Sequence, residues 1–316
     1  MRIAHFLLIG AMLLLAFGCG KETPVVTEPI VIDEPVVTQP EKEILIGILP
    51  LQNPTEMLAR FGPTEEYLRE TTGLNIRMRY YPTEGAVGGY TQVVKDLVEG
   101  NVQLAYLSPT TIAQAYVVSD GVAFPFACAV NEGAPTYTGE IAVRVNSTYQ
   151  TIYDLEGKPV AGTSASSTSG NLMPTAYLNS LGIKKETFFQ FEFLGAHDKA
   201  AGAVVNGQME AAFINEATYN KFNKEKTLLK SVYTHPPVPE FPFCVNKNAI
   251  SEADFATIRD ALLVQHETEK GLAAIVASTP KYSKWVPIQW ENYTTVKEAC
   301  DSEYGDIFYD LENWVG

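Results

Sequence analysis

His197-Asp198-Lys199-Ala200-Ala201-Gly202-Ala203-Val204-Val205-Asn206-Gly207-Gln208-Met209-Glu210-Ala211-Ala212-Phe213-Ile214-Asn215 reads as one αβ unit, and residues 90–108 read as a second. Each copy is an apolar helical stretch, a glycine stop, a buried strand and a polar turn, at Asn215 in one and Ser108 in the other. At a constant offset of 107, Gly100 falls on Gly207, Ala105 on Ala212, Tyr106 on Phe213 and Leu107 on Ile214, and the match runs without a gap from 90–111 to 197–218. Two ordinary αβ units matching by chance are the plain alternative. A true duplication predicts two similar lobes, with corresponding loops and the helix starts at Tyr90 and His197 facing each other across a cleft.

Outward from this pair, short apolar runs alternate with amphipathic stretches from Ile44 on, the pattern of an α/β protein with largely parallel sheets. Residues 44–49 form an apolar run closed by Pro50. Pro63 is expected to open a helix through Tyr67 and Leu68 that Gly73 stops. Leu74, Ile76, Met78 and Tyr80 alternate with polar neighbours as a strand, Val93, Val94, Leu97 and Val98 share one helical face, and residues 102–107 form the next strand. Ser251, followed by Glu252 and Asp254, makes a helix N-terminus. Residues 140–145 would carry the chain from one lobe to the other and 241–245 would return it. The expected division is lobe one from 43–140 plus 241–316 and lobe two from 141–240.

At the start of the chain, Arg2 precedes an apolar run over 6–17 that closes on Gly18-Cys19, too short to span a bilayer and shaped as a signal peptide over 1–18. The segment Leu15-Ala16-Phe17-Gly18-Cys19 resembles a bacterial lipobox, which makes Cys19 the expected lipidation site; cleavage without lipidation is the alternative. Pro24, Pro29, Pro35 and Pro40, set among Val, Thr, Glu and Asp, make 19–42 an extended tether, so the body is expected in the periplasm or on the outer face of the cytoplasmic membrane. A net charge of −14 argues against nucleic acid without excluding a small anionic ligand, since local dipoles can dominate a cleft. Cys128, Cys244 and Cys300 allow at most one internal disulfide and have no metal-site spacing, so neither metal nor cofactor is expected.

The chemistry is concentrated in Val160-Ala161-Gly162-Thr163-Ser164-Ala165-Ser166-Ser167-Thr168-Ser169-Gly170, a strand end feeding a hydroxyl-rich loop and then a helical stretch over 172–181. Such a loop gathers backbone N–H groups, a helix dipole and hydroxyl donors at one point, which suits an anion without a lysine. A plain helix cap with a serine loop is the structural alternative. His197 and Tyr90 stand at equivalent strand-to-helix turns, and in open α/β sheets ligands bind beyond the carboxyl ends of strands.

In Ser167-Thr168-Ser169-Gly170, Gly195-Ala196-His197-Asp198 and Asn206-Gly207-Gln208-Met209-Glu210-Ala211-Ala212, the chain resembles the phosphate/phosphite/phosphonate-binding proteins of ABC transporters over most of residues 44–250. Members have Ser-Thr-Ser-Gly and Gly-Ser-His-Asp in these places, so Ala196 is a departure. The resemblance implies a type II periplasmic-binding fold, two α/β lobes around a ligand cleft. It implies oxyanion contacts from Ser167, Thr168, Ser169 and His197 in lobe two and from Tyr90 and Tyr137 in lobe one. Glu216, and more weakly Glu240, are the candidates for gripping an amine on an aminoalkylphosphonate, and an ABC permease is the implied membrane partner. Two other classes stay open. A ligand sensor for a membrane signalling partner would have the same sequence features. A hydrolase would need Ser169, His197 and Asp198 as nucleophile, base and orienter, in a chain with no Gly-x-Ser-x-Gly elbow, phosphate-binding Gly-Lys-Ser/Thr loop or His-Glu-x-x-His helix.

Overall fold

A nearly continuous apolar run buried on both faces makes β1 (Ile44–Ile48) a central strand of a parallel arrangement. In the computed structural model, which describes residues 42–82, 89–223 and 227–314, β1 is followed by α1 (Pro54–Thr72) and β2 (Ile76–Tyr80). The α1 helix starts at Pro54, not at Pro63 as the sequence suggested. The Asn53 side chain accepts the Glu56 amide, Pro54 takes a first-turn position where no N–H is needed, and Pro63 lies inside the helix. An internal proline costs a helix about 3 kcal/mol. Met57, Phe61, Thr64, Tyr67 and Leu68 form a buried stripe that runs past Pro63 on both sides, and that packing offsets the lost bond.

The chain continues through α2 (Gly89–Glu99), β3 (Leu104–Tyr106), α3 (Pro109–Val118), β4 (Ala123–Asn131), β5 (Thr136–Tyr137) and β6 (Gly139–Arg144). Next come β7 (Pro159–Gly162), α4 (Met173–Ser180), α5 (Lys185–Phe188), β8 (Gln190–Phe193), α6 (His197–Val205), β9 (Ala211–Asn215), α7 (Glu216–Phe222) and β10 (Leu229–Thr234). It ends with β11 (Val238–Pro239), β12 (Pro242–Asn246), α8 (Glu252–Leu263), α9 (Glu269–Ser278), β13 (Tyr282–Pro287) and α10 (Thr294–Tyr304). The signal peptide, Cys19 and almost all of the tether expected from the sequence lie outside the described residues. Among the described residues no helix is long and apolar enough to cross a membrane.

Two large sheets result among the described residues, a six-stranded one in the order β13-β4-β12-β3-β1-β2 and a five-stranded one in the order β10-β6-β9-β7-β8. Strand for strand, β2-β1-β3-β12-β4 matches β8-β7-β9-β6-β10, the first three parallel and the rest alternating in direction. The 107-residue offset of the sequence places β3 on β9, and the caps agree: Ser108 accepts the Thr111 amide at the start of α3, and Asn215 accepts the Thr218 amide at the start of α7. Along β9, Ala212 and Ile214 face one apolar cluster with Ala142, Ala161 and Ala200, while Ala211 and Phe213 face another with Ile141, Val143 and Val160. The first sheet's core is built on Ile46, Ile48, Leu104, Tyr106, Phe243 and Trp285.

Between the sheets the chain crosses twice, and the crossings pair with each other. β5 and β11 form an antiparallel ribbon, with Tyr137 opposite Val238 and Thr136 opposite Pro239. The C-terminal helix α10 packs on α3 and also reaches α4, so the segment after β13 touches elements of both sheets. Cys128, Cys244 and Cys300 are free and buried, and burial pushes the Cys128 thiol up to about 12.

Candidate anion-binding site

β7 ends at Gly162, and the hydroxyl-rich segment folds back on itself there. The Thr163 amide donates to the Gly170 carbonyl at 3.2 Å and the Ser167 amide to Ser164 at 3.0 Å, before a short π-helical turn, Thr168–Leu172, runs into α4. Gly170 is required in this turn, because a Cβ there would stand 1.7 Å from Thr163 Oγ1. The three hydroxyls of the Ser-Thr-Ser run have different fates. Ser167 Oγ caps the turn by accepting the Gly170 amide at 3.1 Å. Thr168 Oγ1 accepts the Thr110 amide at 3.0 Å and lies 2.8 Å from the Thr110 hydroxyl, joining the start of α3 on the first sheet to the loop on the second. Ser169 Oγ is buried with no hydrogen-bond partner. The cap reading of the loop thus holds for Ser167, while Ser169 is left without a protein partner.

Around this turn the other expected residues gather from both sheets. Tyr90, at the start of α2, has its hydroxyl beside Ser167 without a bond of ordinary geometry, and the Tyr137 hydroxyl of β5 likewise lies beside Thr168 and Ser169. Burial pushes both phenols well above their usual range, so both stay protonated donors. His197, at the start of α6, is fully buried, its Nε2 3.4 Å from Ser167 Oγ and its Nδ1 accepting the Asn215 amide at 3.1 Å. An accepting Nδ1 fixes the neutral tautomer with the proton on Nε2. Burial, then the nearby Arg60 charge, bring its pKa down to about 3. His197 therefore offers an anion a neutral Nε2–H donor and not an imidazolium.

Four helix starts, those of α2, α3, α6 and the Thr168 turn, converge here, and each brings first-turn amides that have no intrahelical partner. Sequence reasoning missed Thr110, which follows an ordinary Ser-Pro helix cap, and Arg60, which sits within α1. Arg60 donates to Gln52, to the Ser278 carbonyl and to Thr279, and its charge is felt at His197.

The remaining expected residue, Glu216, opens α7 and is already engaged. Its carboxylate pairs with Lys281 at 2.9 Å and accepts the Thr138 hydroxyl at 3.3 Å, and with Lys281 and Thr138 outweighing partial burial its pKa is lowered. Farther in, Glu240 is fully buried and accepts from Tyr282 at 2.7 Å, the Phe241 amide at 3.0 Å and Asn131 at 3.1 Å; burial pushes its carboxyl up to about 7. A cavity of about 30 Å³ lies between Tyr137, Asn215, Glu216, Glu240 and Arg60. The hydrolase arrangement is not assembled: the orienting position on His197 Nδ1 is taken by a backbone amide, and the hydroxyl near Nε2 belongs to Ser167.

A sequence model of the family described as the periplasmic substrate-binding protein of phosphonate ABC transporters matches residues 46–293. The phosphate-import protein PhnD of Mycolicibacterium smegmatis is 25% identical over 296 residues, covering 85% of this chain and 89% of the relative. PhnD1 of Prochlorococcus marinus, solved with methylphosphonate, is similar in structure with a TM-score of 0.74 at 16% identity, covering 84% of this chain and 99% of that one. A binding-protein component of a phosphonate ABC transporter from Pseudomonas aeruginosa also gives 0.74, at 17% identity, covering 87% of this chain and 90% of the other. The two-lobed periplasmic-binding fold implied by the sequence is thereby shown.

Proposed function

Since this chain belongs to the family of periplasmic substrate-binding proteins of phosphonate ABC transporters, we propose that it holds a small tetrahedral phosphorus oxyanion, a phosphonate, phosphite or phosphate, between its two lobes. One observation carries the reading: the hydroxyls of Tyr90, Tyr137 and Ser169 are buried, unpartnered, and brought to one turn from both lobes. A buried donor without an acceptor costs about 1–3 kcal/mol, and an oxyanion supplies only acceptors unless it is protonated. His197 Nε2–H adds a donor, and Arg60 adds charge from nearby. The small cavity beside Tyr137 suits a compact substituent on phosphorus, with Glu240 and Glu216 at its wall where an amine would lie.

On this reading lobe closure presents the loaded protein to an ABC permease, and Cys19 carries the lipid that keeps it at the membrane. Cys19→Ser should abolish membrane association; a variant that fractionates like wild type overturns the anchor. For the ligand, thermal melting with phosphate, phosphite, methylphosphonate, 2-aminoethylphosphonate and sulfate is decisive. A ligand at about 100 times its dissociation constant adds roughly 2.7 kcal/mol of stability, and no shift with any phosphorus anion would overturn the assignment.

A further inference from the structure

His235, between β10 and β11, is 1% exposed, and its Nδ1 lies 2.7 Å from the Pro236 carbonyl oxygen. A carbonyl only accepts, so Nδ1 carries the proton and Nε2 presents a lone pair. That Nε2 is buried with no hydrogen-bond partner. Its place is the anion site: a Cβ on Gly139 would stand 2.8 Å from Nε2 and 2.5 Å from Ser169 Cβ, so both residues press on the same point of β6. The Tyr137 ring meets the imidazole edge to face, with centroids 6.0 Å apart at 84°. Beside these hydroxyls and the Nε2–H of His197, His235 Nε2 is a buried acceptor with no donor among the described residues, and a buried acceptor needs one.

We propose that His235 Nε2 accepts a hydrogen bond from the P–OH group of a singly protonated phosphorus oxyanion, the proton staying on the ligand, so that the site selects a hydrogen phosphonate or hydrogen phosphate over a fully deprotonated anion or a sulfonate. The proposal rests on the oxyanion reading of the site. A fully ionised anion would set an oxygen lone pair against the imidazole lone pair, a repulsion that discriminates against it. The ring stays neutral because burial holds its pKa low, against the raising effects of the Pro236 contact and the Glu216 charge. The titratable groups around it are Glu216 on α7, Glu140 on β6, which takes the Thr234 hydroxyl, Glu240 beyond β11, and Tyr137 on β5. The competing role for Nε2 is to accept from Ser169 or Tyr137 and only orient that hydroxyl.

Methylphosphonate and methanesulfonate have nearly the same shape, and only the phosphonate carries a proton near neutrality. Calorimetry on the whole protein should show tighter binding of methylphosphonate, weakening as pH rises through that ligand's second ionisation. Methanesulfonate, which does not titrate, supplies the baseline for protein groups such as Glu240. In His235→Leu the preference for the phosphonate should shrink about tenfold or more and its pH slope should fall to the sulfonate's. Equal losses for both anions would assign His235 to orienting a hydroxyl and overturn the proposal. A wild-type phosphonate profile no steeper than the sulfonate's would also overturn it, whether or not the variant folds. Wild-type protein that binds neither anion would sink the oxyanion site itself, an outcome distinct from the other two.

Discussion

Three neighbouring hydroxyls that look interchangeable in the sequence make separable predictions. Ser169 Oγ has no protein partner, so Ser169→Ala should leave the ligand-free melting temperature unchanged or raise it while ligand binding weakens by roughly one to two orders of magnitude, the range for a hydrogen bond to a charged group. Ser167 caps the turn, so Ser167→Ala should lose about 1 kcal/mol of stability as well as affinity. Calorimetry beside melting curves checks both, and an unchanged affinity for Ser169→Ala would remove it from the site. Glu240 contributes one part of the pH dependence of stability, opposite in sign to that of the buried neutral His197 and His235. Burial raises the folded pKa of Glu240 to about 7, above the 4.5 of a solvated glutamate, so the folded chain binds this proton more tightly than the unfolded one. Its contribution is complete below about pH 4.5 and is lost as pH rises through 7, an effect of about 3 kcal/mol. Glu240→Gln, in which the Asn131 amide can turn to present its oxygen, should flatten that decline in denaturant titrations; a decline as steep as wild type would contradict it.

At the scale of elements, the C-terminal segment is tied to the anion loop. The Tyr304 hydroxyl at the end of α10 donates to the Ala165 carbonyl at 2.9 Å and accepts from Asn171 at 3.0 Å, and Trp314 Nε1 donates to Ser166 Oγ at 2.6 Å. Gln114 of α3 bonds the Phe308 carbonyl, so the same segment is fixed to the first sheet. Tyr304→Phe should speed hydrogen exchange over 164–171 and weaken ligand several-fold; unaltered exchange there would mean the loop holds its shape unaided. How legible such elements were depended on where their cause lies. The glycine stops at Gly100 and Gly207, the Ser251 cap and the αβ repeat are local chemistry, and each could be read directly. The α1 start was misplaced because a buried stripe overrode Pro63, and packing partners are not written in the helix's own residues. Thr110, Arg60 and His235 were invisible for a related reason: each becomes a site residue only when folding sets it against the Ser-Thr-Ser turn or its neighbours, and nothing in Ser-Pro-Thr-Thr or His-Pro-Pro announces that.

For the molecule as a whole, the helix α7 on the second sheet reaches across to the first with two oppositely signed pairs, Glu216 to Lys281 and Lys221 to Glu56. Both must break if the lobes part, so they favour the closed form, though only modestly, since exposed pairs contribute about 0–1 kcal/mol each. This commitment of Glu216 bears on whether it could also serve an amine. Three outcomes of Glu216→Gln separate its roles, because they differ in sign or in selectivity. If Glu216 acts mainly as a latch, the variant opens more readily, and methylphosphonate and 2-aminoethylphosphonate both weaken about two- to five-fold. If Glu216 acts mainly through space, removing a negative charge near an anion tightens both ligands. If it grips an amine, 2-aminoethylphosphonate weakens far more than methylphosphonate. The Lys281 pair favours the first outcome, and small-angle scattering supplies the independent reading: ligand-free Glu216→Gln should be more expanded than wild type, while saturating methylphosphonate should compact both to the same curve. Ligand-free curves that coincide would dissolve the latch, and tighter methylphosphonate binding would leave only the electrostatic role.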